Sequence, residues 1–120
     1  MQNQHLTIET LHGVVVVHIL DRCLSGRAQS PQLWNSISEL ISQQTGIRLV
    51  LDLSQVTFLP SVGISELIQL IRTCRSARGQ LALCCLCPSI LEALQLLRLD
   101  RQIPLFETIP DAIVGVGGTI

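Results

Sequence analysis

Two stretches of this chain carry residues able to do chemistry. The first is Leu49-Val-Leu-Asp-Leu-Ser-Gln-Val-Thr-Phe-Leu-Pro-Ser-Val-Gly63, in which an apolar run gives way to a short loop and Ser61 stands where the next helical pattern begins. A hydroxyl in that place lies beside unpaired backbone N–H groups and the positive end of a helix dipole. Such a position welcomes a phosphate, including one attached to the serine itself. The plainer role open to Ser61 is that of a helix cap. The second stretch is Cys84-Cys-Leu-Cys87, whose Cys84-x-x-Cys87 spacing permits thiol redox chemistry or half of a metal site.

Other chemistries find less. A Ser–His–Asp hydrolase can be assembled on paper from Ser61, a histidine and Asp52, but the G-x-S-x-G nucleophile motif is absent. The glycine pair Gly117-Gly118 follows the last strand pattern rather than forming a phosphate loop. Nothing in the spacing of the nine acids selects a catalytic carboxylate pair. A zinc site would need two more ligands, and His5, His12 and His18 lie in or near the first hairpin pattern without ligand spacing. Cys84 and Cys85 read as mid-strand residues buried on opposite faces. Cys87, just ahead of Pro88 at a helix start, is the cysteine placed to have a lowered pKa. An odd cysteine count of five argues for reduced, small hydrophobes rather than a disulfide framework. The chain does not read as an enzyme.

The elements that position these residues follow from periodicity. Leu6-Thr-Ile-Glu-Thr10 alternates as a half-buried strand does, His12-Gly13 signals a turn, and Val14 to Leu20 is a β-branched run. Asp21 to Ser30 reads as a loop. Ser30-Pro31 marks a capped helix start, Leu33, Ile37, Leu40 and Ile41 give the helical stripe with Trp34 beside it, and Gly46 is the stop. Ile47 to Leu53 reads as a central strand buried on both faces. The helix after Ser61 carries the stripe Ile64, Leu67, Ile68, Ile71 and Cys74 and ends at Arg78-Gly79. Gln80 to Leu86 is a further buried strand. Pro88 opens a third helix with Leu91, Leu94 and Leu97, or Ile90, Leu94 and Leu97, as its inner face. Ile103 to Glu107 reads as a short edge strand and Ile109 to Val114 as a last helix. The expected architecture is a single α/β domain over residues 1–120, a mixed and mostly parallel sheet of four to five strands with about four helices. Residues 1–5 and 115–120 are expected to be flexible ends.

Composition narrows the partners. The chain has no Lys, eight Arg and a net charge of −1, so it lacks the electrostatic footprint of a nucleic-acid or anionic-membrane binder. Arg72, Arg75 and Arg78 are best read as cations complementing the dipole at a helix C-terminus. Residues are 48% hydrophobic with few aromatics, which predicts an aliphatic core. No signal-peptide pattern and no membrane-length apolar run is visible, and a cytoplasmic protein is expected.

The stretch around Ser61 resembles the signature of anti-sigma factor antagonists of the STAS-domain family. The likeness runs from Arg48 to Ile113. It rests on Leu51-Asp-Leu-Ser54 with Val56-Thr-Phe58, on Pro60-Ser-Val-Gly63, on Cys87-Pro-Ser89 with Leu94 and Leu99-Asp-Arg101, and on Phe106-Glu-Thr108 with Asp111-Ala112. In that family the loop reads Asp-Ser-x-Gly and its first serine is phosphorylated by a partner kinase. Here Pro60 replaces the aspartate, removing a charge and a backbone donor and fixing φ. The family's Gly-Glu-Leu-Asp-like motif after the second strand is also altered; within Leu20 to Gly26 only Asp21 retains its acidic character.

The resemblance implies a STAS-like domain that binds an anti-sigma factor, itself a serine kinase that carries the ATP, and so releases a sigma factor. Phosphorylation of Ser61 would regulate this binding, and a phosphatase would reset it. The domain would need no cofactor of its own. Asp21, Pro60, Ser61, Val62, Gly63, Ile64 and Ser65 are the residues the resemblance places at the partner surface. Two alternatives stand beside it: a non-switching STAS subunit of a larger lipid-transport or sensor assembly, and a thiol-active protein using Cys84 and Cys87.

Overall fold

The structure, a computed structural model, describes residues 5–118. Residues 1–4 and 119–120, on which part of the expected flexible ends falls, lie outside the described residues. Strands β1 (Leu6–Leu11) and β2 (Val14–Ile19) form the opening hairpin, with His12 and Gly13 both at positive φ, as a tight primed turn requires. Three parallel strands follow, β3 (Arg48–Asp52), β4 (Gln80–Cys84) and β5 (Leu105–Phe106), in the spatial order β1-β2-β3-β4-β5. The connections are α1 (Pro31–Gln43), α2 (Ser61–Ser76) and α3 (Pro88–Leu96) followed by a 3-10 turn (Leu99–Arg101). Helix α4 (Ile109–Gly115) closes the described chain. This is the mixed, mostly parallel α/β sheet with four helices that the sequence predicts.

The pleat divides the sheet chemically. Val17, Ile19, Leu49, Leu51, Leu81 and Leu83 face the larger core with Leu33, Trp34 and Ile37 of α1, Leu67 and Ile71 of α2, and Ile90 and Leu94 of α3. Val14, Val16, Val50, Ala82 and Cys84 face the other way, against Ala112, Ile113 and Val116. Covering both faces explains why β2, β3 and β4 are continuous apolar runs rather than alternating ones.

The structure differs from the sequence expectations at several positions. Strand β1 is not half-buried: beyond Leu6 it is an edge strand, and Ile8, on the core-side alternation, remains 46% exposed. Ser30 precedes α1 but its side chain makes no capping hydrogen bond. In α3 the inner residues are Ile90 and Leu94, whereas Leu97 is 53% exposed because the helix ends at Leu96. Cys85 is not mid-strand; β4 stops at Cys84, and Cys85 adopts a left-handed φ of 62°, packing with Cys84 on the same face of the sheet. At the two limits of the described residues the chain makes specific contacts. His5 hydrogen bonds Asp21, Val116 is buried, and the Gly118 N–H reaches the Ile113 carbonyl at 2.8 Å. Leu24 and Leu70 also belong to the core, the first from a loop whose sequence has no period.

The α4 face ends in a polar row. His18, Asp52 and Cys84 are register neighbours on β2, β3 and β4. His18 Nδ1 lies 2.6 Å from Asp52 Oδ2 and its Nε2 lies 2.7 Å from Glu9 Oε1, so both ring nitrogens face carboxylates. Burial opposes charge on His18, but the hydrogen bonds to Asp52 and Glu9 outweigh it and raise its pKa. Burial likewise pushes the Asp52 carboxyl up, yet the bonds from His18 and Ser54 prevail and hold it below the usual range.

These shifts fix a pH dependence. The His18 contribution is complete below its unfolded pKa of about 6.5 and is lost as pH rises through the higher folded value. The Asp52 contribution is complete above about 3.9 and is lost as pH falls through the lower folded value. Denaturant unfolding in metal-free buffer is therefore expected to show maximal support from this pair between those limits and a loss of order 1 kcal/mol on going well above them. His18→Gln should remove most of that slope; an unchanged slope would assign it to other groups.

Candidate functional site

Ser61 is the first residue of α2, and Pro60 is the cap residue, extended at φ −71° and ψ 166°. Proline offers no side-chain acceptor, so the first turn of α2 has no side-chain cap. The Ser61 hydroxyl does not fill that role: it is exposed, one residue inside the helix, with no hydrogen-bond partner among the described residues. The helix therefore presents its first N–H groups and the positive end of a 16-residue dipole beside a free hydroxyl, with no acidic residue in the first turn.

A second segment holds this turn in place. The loop between β2 and α1 runs alongside the loop before Ser61: the Leu24 N–H donates to the Phe58 carbonyl at 3.0 Å and the Thr57 N–H to the Arg22 carbonyl at 2.8 Å. Trp34, buried in α1, donates its indole N–H to the Ser25 carbonyl at 2.8 Å and so fixes the same loop from beneath. Arg27 lies 3.6 Å from Glu66 on α2. Gly63 completes the joint. A Cβ there would stand 1.9 Å from the Leu24 carbonyl oxygen and 3.1 Å from a Leu59 methyl. The glycine thus admits a backbone, but that backbone is the chain's own.

The residues singled out in the sequence separate accordingly. Pro60, Ser61, Val62 and Ser65 share one exposed or half-exposed turn. Val62 is 50% exposed and Phe58, just upstream, 61%; no local signal distinguishes an exposed Phe58 from a core one. Ile64 is half-buried and packs on the core, and Gly63 is buried. Asp21 belongs to the buttressing loop, but its carboxylate is held by His5 at 2.8 Å. A paper triad of Ser61, histidine and Asp52 does not form, because Asp52 pairs with His18, whose second nitrogen is taken by Glu9. The cysteines differ in state. Burial pushes the Cys84 and Cys85 thiols up. Hydrogen bonds from Ser89 and the Ile90 N–H lower Cys87, as its place at the start of α3 predicts.

Gly63→Ala is expected to cost about 2–3 kcal/mol in denaturant unfolding, because neither the Leu24 carbonyl nor the helix can yield. Val62→Ala, one residue away, should stay within about 0.5 kcal/mol. Equal costs would deny that the joint depends on a missing Cβ.

The STAS domain profile matches residues 5–112. Comparison with curated protein sequences found no match. Among solved structures, the chain is similar to an anti-sigma factor antagonist from Mycobacterium paratuberculosis, with 28% identity, a TM-score of 0.77 and 92% of each chain covered. It is also similar to the Bacillus cell fate determinant SpoIIAA in its phosphorylated form, with 20% identity, a TM-score of 0.67, and 92% of this chain and 98% of that chain covered. The murine anion transporter Slc26a9 matches through one portion, at 20% identity and a TM-score of 0.75, covering 90% of this chain and 18% of the transporter. With the profile spanning the sheet, the Ser61 turn and its buttress, the chain belongs to the STAS domain family.

Proposed function

We propose that this chain is an anti-sigma factor antagonist working by partner exchange. One observation carries the reading: an exposed serine hydroxyl stands at an uncapped helix start, flanked by the exposed apolar side chains of Phe58 and Val62. Apolar groups around a small polar centre suit a protein partner. Similarity to an anti-sigma factor antagonist, and to a phosphorylated relative of the same fold, supports the choice of partner. Among the described residues no helix is long and apolar enough to cross a membrane.

In this account the unmodified turn at Pro60, Ser61, Val62 and Ser65 docks on an anti-sigma factor, which then releases its sigma factor. The anti-sigma factor is also the kinase and brings the ATP. Its product, phosphoserine at Ser61, adds about −1.5 to −2 charges. The helix start tolerates that charge within this domain, since its N–H groups and dipole face it. The cost falls on the complex, where a dianion would have to lose water against a surface fitted to a hydroxyl. A phosphatase restores the binding form.

Pro60 favours a second reading, a STAS module that binds constitutively within a larger assembly. A kinase that recognises the aspartate usual at this position finds neither charge nor N–H here.

Ser61→Asp is expected to weaken binding to the cognate anti-sigma factor at least tenfold while Ser61→Ala retains it and both keep wild-type unfolding curves. Equal affinity of both variants would support the constitutive module. Pro60→Asp is expected to raise the rate of phosphorylation by a kinase of the usual specificity; an unchanged rate would show that recognition lies elsewhere in the turn.

A further inference from the structure

The polar row at the far ends of β3 and β4 contains a donor set that the Ser61 site does not use. A carboxylate oxygen of Asp52 and the Sγ atoms of Cys84 and Cys85 all lie within 4.8 Å of one another. Two adjacent residues of a regular strand point to opposite faces, so vicinal cysteines would normally be kept apart. Here Cys85 leaves the strand in the left-handed region, φ 62°, a conformation unfavourable for a residue with a Cβ. Its backbone is secured there by a 3.2 Å bond from its N–H to the Phe106 carbonyl, while the Cys84 carbonyl accepts from the Leu53 N–H at 3.0 Å. The result is two thiols turned to one side, towards a carboxylate.

We propose that Asp52, Cys84 and Cys85 bind a thiophilic divalent cation of the zinc class, with the fourth position left to water. Ligand atoms on a tetrahedral zinc lie about 3.5–3.8 Å apart, given bond lengths of about 2.3 Å to sulfur and 2.0–2.2 Å to oxygen. Closing from the present spacing needs adjustments of about 1 Å, within the reach of side-chain rotation. Asp52 is already oriented, its Oδ1 accepting from the Ser54 N–H at 2.9 Å and its Oδ2 facing His18 Nδ1, the kind of outer support that ligating carboxylates have. Two thiolates and an aspartate make a soft, anionic set that selects zinc or cadmium over magnesium or calcium. Binding is M²⁺ plus two thiols going to a bis-thiolate complex and two protons released to solvent, with no change of oxidation state. Asp52 is nearly enclosed, at 6% exposure, whereas Cys85 is only half-buried and provides the route in.

The test is cobalt(II) titration of the full, reduced chain, with zinc displacement and native mass spectrometry. Expected are one equivalent of bound ion, a thiolate-to-cobalt charge-transfer band with tetrahedral visible bands, and release of two protons per ion into weak buffer. Cys85→Ser should weaken binding at least tenfold and diminish the band. Cys87→Ser, which removes an exposed-side thiol outside the set, should leave both unchanged. Asp52→Asn, checked for a native unfolding curve, should keep the band but weaken binding. Absence of the band, or its loss in Cys87→Ser with retention in Cys85→Ser, would overturn the proposal.

Discussion

The Ser61 turn depends on the absence of one carbon atom. Because Gly63 has no Cβ, the first turn of α2 can lie directly against the Leu24 carbonyl, at a distance that any other residue would close to 1.9 Å. That contact makes the loop after β2 a wall for the loop after β3. Gly26 against Val62, Leu24 bonded to Phe58, and Arg27 near Glu66 then reinforce the wall from successive positions. Trp34 anchors the same loop to α1 and the core. Without the close approach, the buttressing loop and the helix start would separate, and Ser61 would have no fixed surroundings to present. Gly63 has no group to offer chemistry; its part is to set the position of Ser61.

The parallel sheet adds a second constraint, because it sends its chain exits to one edge. Asp21 lies just beyond β2, the Ser61 loop follows β3, and Cys84 ends β4 with Cys85 just beyond it. In open α/β sheets the crevice outside the carboxyl ends of the strands is where ligands bind. This chain divides that edge between two faces. The loops that turn towards α1 and α2 build the Ser61 surface, whereas His18, Asp52, Cys84 and Cys85 turn to the α4 side. Asp52 stands between them: its strand continues into the Ser61 loop and its carboxylate secures the Ser54 N–H at the first bend.

Much of the fold was legible in the sequence because its signals are local. Continuous β-branched runs, proline at helix starts and helical stripes are read from neighbours a few positions apart, and β2, β3, α1 and α2 form where these signals lie. Ser61 at the head of α2 was legible for the same reason. What the sequence hid is set by tertiary contact. Leu24 has no period to announce its burial, and Leu97 continues the apolar stripe yet lies beyond a helix that ends at Leu96. The role of Gly63 was half visible: a need for close approach could be read from the residue, but not that the approaching group is the chain's own carbonyl. The opposite-face rule for Cys84 and Cys85 failed because β4 ends at Cys84, two residues before the expected strand end at Leu86. Asp52 could not be joined to the cysteines from sequence, since only the β3–β4 register brings it beside Cys84.

The central claim is that Ser61 is the phosphoacceptor of an exchange between partners, and that Pro60 changes which kinase is recognised without abolishing recognition. The most direct measurement is intact-mass analysis with peptide mapping, after the chain and ATP are mixed with each anti-sigma kinase encoded in the same genome. The account predicts a single added phosphoryl group, mapped to Ser61, with one kinase. Stable complex formation with such a kinase and no modification of Ser61 would contradict it.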